Sequence, residues 1–93
     1  MTLDRWLEKN PWGHGAVREK LAVCKDGFSV SIQDGPPHHC HHNGTDFEIY
    51  PDGLTDEEEE MLEDYADVFH ETYGNVPKAM LEQILENHGG IVY

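Results

Sequence analysis

"KLAVCKDGFSVSIQ", residues 20–33, is two short apolar alternations hinged on Asp26-Gly27. Leu21 and Val23 alternate before the hinge, and Phe28, Val30 and Ile32 alternate after it. Successive strand side chains point to opposite faces, so each set lines one side. An Asp-Gly pair supplies the positive φ that a tight turn between such strands needs. The stretch therefore reads as a β-hairpin with Leu21, Val23, Phe28, Val30 and Ile32 on one apolar face.

The neighbouring segments build outward from this hairpin. "DGPPHHCHHNG" (34–44) reads as a loop, since its prolines and glycines oppose regular structure. "TDFEIYP" (45–51) reads as a third strand with Phe47 and Ile49 pointing one way. On the other side, "TLDRWLEKN" (2–10) reads as a short helix capped by Thr2, with Leu3, Trp6 and Leu7 on its inner face. Pro11, Gly13 and Gly15 end it. Trp6 and Trp12 are expected in the core and at its rim.

Thr55 and Glu58 form a capping box, which opens a helix. The expected course is "TDEEEEMLEDYADVFHETY" (55–73), stopping at Gly74, with Met61, Leu62, Tyr65, Phe69 and Tyr73 as its buried stripe. A last helix starts at Pro77, carries Met80, Leu81, Ile84 and Leu85 inward, and stops at "HGG". "IVY" follows as a short edge strand. The expected fold is α+β. A small antiparallel sheet of about three strands carries the N-terminal helix and two C-terminal helices, in one domain over 1–93. Phe28, Val30 and Ile32 are expected to pack against Tyr65, Phe69, Ile84 and Leu85.

Charge narrows the function. Six Lys and Arg face 19 Asp and Glu, a net charge of −13, and only Asp4, Glu8 and Glu19 of those acids precede Asp26. Between Lys25 and Lys78 there is no Lys or Arg. Such a field repels nucleic acid and anionic membrane and attracts basic surfaces. Direct nucleic-acid binding and membrane association are therefore not expected. No apolar run approaches the roughly 18 residues of a membrane span, and the N-terminal stretch lacks the apolar region of a signal peptide. Two cysteines, Cys24 and Cys40, do not make a disulfide framework, so the expected setting is cytoplasmic with reduced thiols.

"KDGFSVSIQ", the His/Cys loop, "YGNVP" (73–77) and "ENHGGI" (86–91) together resemble a family of small phage and prophage proteins. The likeness runs over roughly residues 18–92, in the same order and at similar spacing. Relatives carry Pro-Arg after the loop cysteine, where this chain has His41-His42. The resemblance implies a bacteriophage accessory protein acting inside the host bacterium; it implies no biochemical activity.

Three sets of residues carry chemistry. In an extended loop His38, Cys40 and His42 point one way, but a tetrahedral metal site needs a further ligand, for which Cys24, His14, His70 and His88 are the candidates. C-x-x-C spacing is absent, so no metal or other cofactor is assigned and a solvated loop is expected. As a nucleophile Cys40 would need an oriented base, and the surrounding acids raise a thiol pKa. The chain is thus not read as an enzyme.

The second set is Asp56, Glu57, Glu59, Glu60, Glu63, Asp64, Asp67 and Glu71, read as a partner-binding surface. On one helix, like charges at i,i+4 cost stability. Carboxylates kept without local cations can imitate the phosphates of a nucleic acid. The expected function is a phage-encoded inhibitor that binds a host protein with a basic groove, such as a CRISPR effector or another defence complex. A homodimer is left open. The alternative uses the third set, Arg18 and Lys20 with the His/Cys loop, to sequester a metal ion or a signalling nucleotide.

Overall fold

The computed structural model of the protein describes residues 1–36, 38, 40, 41, 44–67 and 71–93. Among them, five antiparallel strands make one sheet in the order β1-β2-β3-β5-β4. The strands are β1 Ala22–Val23, β2 Ser29–Gln33, β3 Asp46–Asp52, β4 Ala66–Asp67 and β5 Thr72–Pro77. Three helices accompany them: α1 Leu3–Lys9, α2 Asp56–Met61 and α3 Lys78–Asn87. The class is α+β, with five strands where about three were expected.

The hairpin forms where the Asp-Gly pair places it. Gly27 takes φ 94°, and Asp26 Oδ1 accepts the Phe28 N–H at 2.9 Å. Its inner face differs by one residue on the first strand. Ala22 lies opposite Val30, and residues opposite each other share a face, so Ala22 and Cys24 are buried. Leu21 is exposed and Val23 only half-buried. Phe28, Val30, Ile32, Phe47 and Ile49 are buried as expected. They join Leu3 and Trp6 of α1 and Leu81, Ile84 and Leu85 of α3 in one hydrophobic cluster.

The helix expected over 55–73 is corrected. The capping box forms, with Thr55 Oγ1 accepting the Glu58 N–H and Glu58 Oε1 accepting the Thr55 N–H, but α2 ends at Met61. A 3₁₀ turn, Glu63–Tyr65, follows, and Ala66 is already extended at φ −68°, ψ 132°. The chain then folds back as the β4–β5 hairpin, with β5 pairing β3 through Asp46–Pro77, Phe47–Val76 and Ile49–Tyr73. Two physical terms favour this course. Thr72, Tyr73 and Val76 of β5 are better strand than helix formers. Without β5, the second edge of β3 would lack partners for its backbone groups. Of the expected stripe, Leu62 is fully buried and Tyr65 and Tyr73 are half-buried against the core. Met61 is exposed, and Phe69 lies outside the described residues.

α3 stops at the two glycines, which adopt φ 90° and 84°, and Gly90 N–H closes the helix onto Leu85 O at 2.9 Å. The stop also docks on the first hairpin, with Lys25 N–H donating to Gly90 O and Asp26 N–H to His88 O. Ile91–Tyr93 then runs along β1, where Val92 N–H meets Val23 O at 2.8 Å. No described helix is long and apolar enough to cross a membrane.

Candidate functional site

Of the four consecutive glutamates that open α2, one turns inward. Glu58 is 2% exposed, while Asp56, Glu57, Glu59 and Glu60 face solvent. Glu63 and Asp64 are exposed on the 3₁₀ turn, Asp67 is half-buried on β4, and Glu71 is exposed just before β5. The acidic surface thus spans a helix, a turn and a hairpin. Because the helix ends at Met61, the i,i+4 repulsion expected between Glu63, Asp67 and Glu71 does not arise. What remains is the lack of a Lys or Arg partner among the described residues. Lys78 is the one Lys or Arg beyond Lys25, and it pairs with Asp4 of α1 at 2.6 Å. Among the described residues, no Lys or Arg forms an ion pair with any of the eight carboxylates.

β3 runs past the start of β5, and an open groove of about 500 Å³ lies where Tyr50, Pro51 and Asp52 have no β5 partner. Asp52, Glu59, Glu71, Tyr50 and Tyr73 line it, and Tyr50 OH donates to Glu71 Oε2 at 3.3 Å. Of the eight carboxylates read from the sequence, the fold brings Glu59 and Glu71 together here. The groove presents carboxylates beside aromatic rings, chemistry that suits a guanidinium or an ammonium.

A second cluster was not anticipated from the sequence. His88, 6% exposed, follows α3 and sits between two carboxylates. Its Nε2 lies 2.7 Å from Glu58 Oε1, its Nδ1 2.6 Å from Asp26 Oδ2. The ring stacks on Phe28 with centroids 4.1 Å apart. Asn87 Nδ2 donates to the other Glu58 oxygen at 3.2 Å. Ionised carboxylates only accept, so this geometry favours the imidazolium form of His88, with both ring nitrogens donating. Burial alone would lower its pKa, but the hydrogen bonds and charges of Asp26 and Glu58 together raise it above the ordinary value. Burial likewise works against the Glu58 charge, and the Thr55 N–H, His88 and Asn87 outweigh it, leaving its pKa lowered. Asp26 is lowered too, first by the Phe28 N–H and then by His88. With both nitrogens engaged inside the fold, His88 offers no lone pair to a substrate. Glu58 and His88 are thirty residues apart, and no local periodicity links them.

The His/Cys loop is better anchored than a solvated loop would be. His38 Nδ1 is 3.1 Å from Glu48 of β3, and the His41 backbone N–H and Nδ1 both bond Asp46. Burial would raise the Asp46 pKa, but these bonds and Asn75 hold it lowered. Cys40 is half-buried; His42 lies outside the described residues. Among the described residues no three His, Cys, Asp or Glu converge as metal ligands. Cys24 is buried, and burial, then the charge of Asp26, pushes its thiol up to about 11, which makes it a poor nucleophile.

Arg18 is committed within the fold. Only 9% exposed, it ion-pairs with Asp34, and its Nε donates to Asn10 O at 2.7 Å. Gln33 clasps the Arg18 backbone in both directions, and Trp12 Nε1 donates to Asp34. Lys20 remains exposed. The guanidinium that a nucleotide sponge would need is therefore occupied. Compared with known proteins, the chain matches no family model, no curated protein and no solved structure.

Proposed function

We propose that the protein is a small acidic binding module of bacteriophage origin that inhibits a host defence protein or nucleoprotein complex. It acts in the bacterial cytoplasm, in the manner of anti-CRISPR proteins. The carboxylates Asp56, Glu57, Glu59, Glu60, Glu63, Asp64, Asp67 and Glu71 would occupy a basic groove that otherwise holds DNA or RNA. The observation that carries this reading is the pairing of Lys78 with Asp4, which leaves the whole surface without a Lys or Arg counterion among the described residues. Such a surface attracts a basic partner at long range, and its association is fast and salt-sensitive. The groove between Tyr50, Glu59, Glu71 and Tyr73 supplies a shaped seat within it, suited to one basic side chain. Phage origin rests on the motif resemblance.

The experiment is capture of partners from a host lysate, with and without nuclease. Binding is then compared for the wild type and for Glu57→Gln, Glu59→Gln, Glu60→Gln, Glu63→Gln combined. A partner with a basic groove, bound by the wild type and lost by a folded variant, supports the reading. Equal affinity of the two at low and physiological salt refutes it.

A further inference from the structure

His88 joins three parts of the chain that are remote in sequence: the β1–β2 turn, α2 and the end of α3. Its two carboxylate partners are not alike. The Glu58 side chain is 2% exposed, and that of Asp26 is 51% exposed. We propose that His88 is a proton-dependent joint, closed while the ring carries both protons and opened on the Asp26 side when it gives one up.

The asymmetry decides which arm opens. A neutral imidazole has one N–H for two acceptors, so one carboxylate must face a lone pair. Stranding the buried Glu58 is costlier than letting the half-exposed Asp26 turn to water. The remaining proton therefore stays on Nε2, toward Glu58, and α2 keeps its attachment. Asp26 leaves, and with it loosens the turn that carries Phe28 over the ring. A cleft of about 300 Å³ lined by Asp26, Gly27, Phe28, Asp52 and His88 marks where the turn parts from its neighbours.

The charged and titratable groups around the ring are Glu58 from α2, Asp26, Lys25 and the Cys24 thiol from the hairpin, and Asp52 from the end of β3. Carboxylates dominate this set, which favours the imidazolium. Since the His88 pKa is raised and those of its two partners are lowered, the joint is fully closed below the ordinary histidine value. It opens as pH rises through the raised one, and it fails separately in acid as the carboxylates protonate. This joint is independent of the binding function proposed above.

The test is NMR of the full chain, following the His88 ring and the backbone amides from mildly acidic to alkaline pH. The ring should titrate above about 6.5, its neutral form carrying the proton on Nε2, and the ratio of open to closed joint should grow about tenfold per pH unit. The amides of Gly27 and Phe28 should move with that midpoint, and those of Glu59 to Met61 should not. Asp26→Asn, at a half-exposed site, should fold, lower the ring midpoint and leave the turn indifferent to it. A neutral ring protonated on Nδ1, or turn amides in the wild type that ignore the titration, would overturn the joint. So would an unmoved midpoint in Asp26→Asn.

Discussion

Two buried ionic clusters hold this small protein, and they differ in the cation. At one end the Arg18 guanidinium is tied to Asp34, the Asn10 carbonyl and the Ile32 carbonyl, fixing the segment after α1 to the end of β2. At the other the His88 imidazolium is tied to Glu58 and Asp26, fixing the end of α3 to α2 and the first hairpin. A guanidinium keeps its charge at any pH a protein survives, whereas an imidazolium does not. The first cluster is therefore a permanent clasp and the second a conditional one. Main chain closes both clusters, the second through the Asp26 N–H donating to His88 O at 3.3 Å. A Cβ on Gly35, beside Asp34, would meet the Ala16 carbonyl at 2.2 Å, so the first clasp is closed by main chain as well as by charge.

The sharpest way to break the comparison is to remove each cluster's key partner. Arg18→Ala strands Asp34 in the interior and should cost about 3–5 kcal/mol, as breaking a buried pair usually does. Urea unfolding should show much the same loss at mildly acidic and alkaline pH. A loss confined to one end of that range would mean that the clasp is not permanent.

Glu58→Gln is next in size. It removes the charge facing His88 while preserving the shape of the cap, and should cost about 1–3 kcal/mol. The loss should be largest where His88 is charged and shrink as pH rises through its raised pKa. A pH-independent cost would reduce Glu58 to a helix cap. A smaller effect follows in the wild type itself. Stability should decline as pH rises from the ordinary histidine value through the raised His88 pKa, and Asp26→Asn should flatten that decline, as parallel melts at several pH values will show.

The smallest expected change is in the four-Gln variant of Glu57, Glu59, Glu60 and Glu63. These side chains are exposed, so stability should stay within about 0.5 kcal/mol of wild type while salt-sensitive binding is lost. A large destabilisation by calorimetry would mean that the outward acids support the fold as Glu58 does.

The hairpin over 20–33, the strand over 46–52 and both outer helices were legible because local chemistry suffices for them. An Asp-Gly turn, alternation, and glycines after a helix each act within a few residues. The course after Met61 was not legible. The apolar spacing up to Tyr73 fits a helix, but Thr72–Pro77 pairs instead with the edge of β3, 24 to 31 residues upstream, and Ala66–Asp67 pairs with Thr72–Tyr73 in turn. Among the carboxylates, composition showed that the surface would be acidic and short of cations. It did not single out Glu58, whose side chain is one of four in a row. Amino-acid sequence alone determined the α+β class, the first hairpin, the core contributed by α1 and α3, and the sign of the surface. Tertiary structure decided the five-stranded sheet, the inward turn of Glu58 and the placing of His88 between two acids. Those features depend on backbone pairing and charge contacts between residues about twenty to sixty apart, which no local pattern encodes.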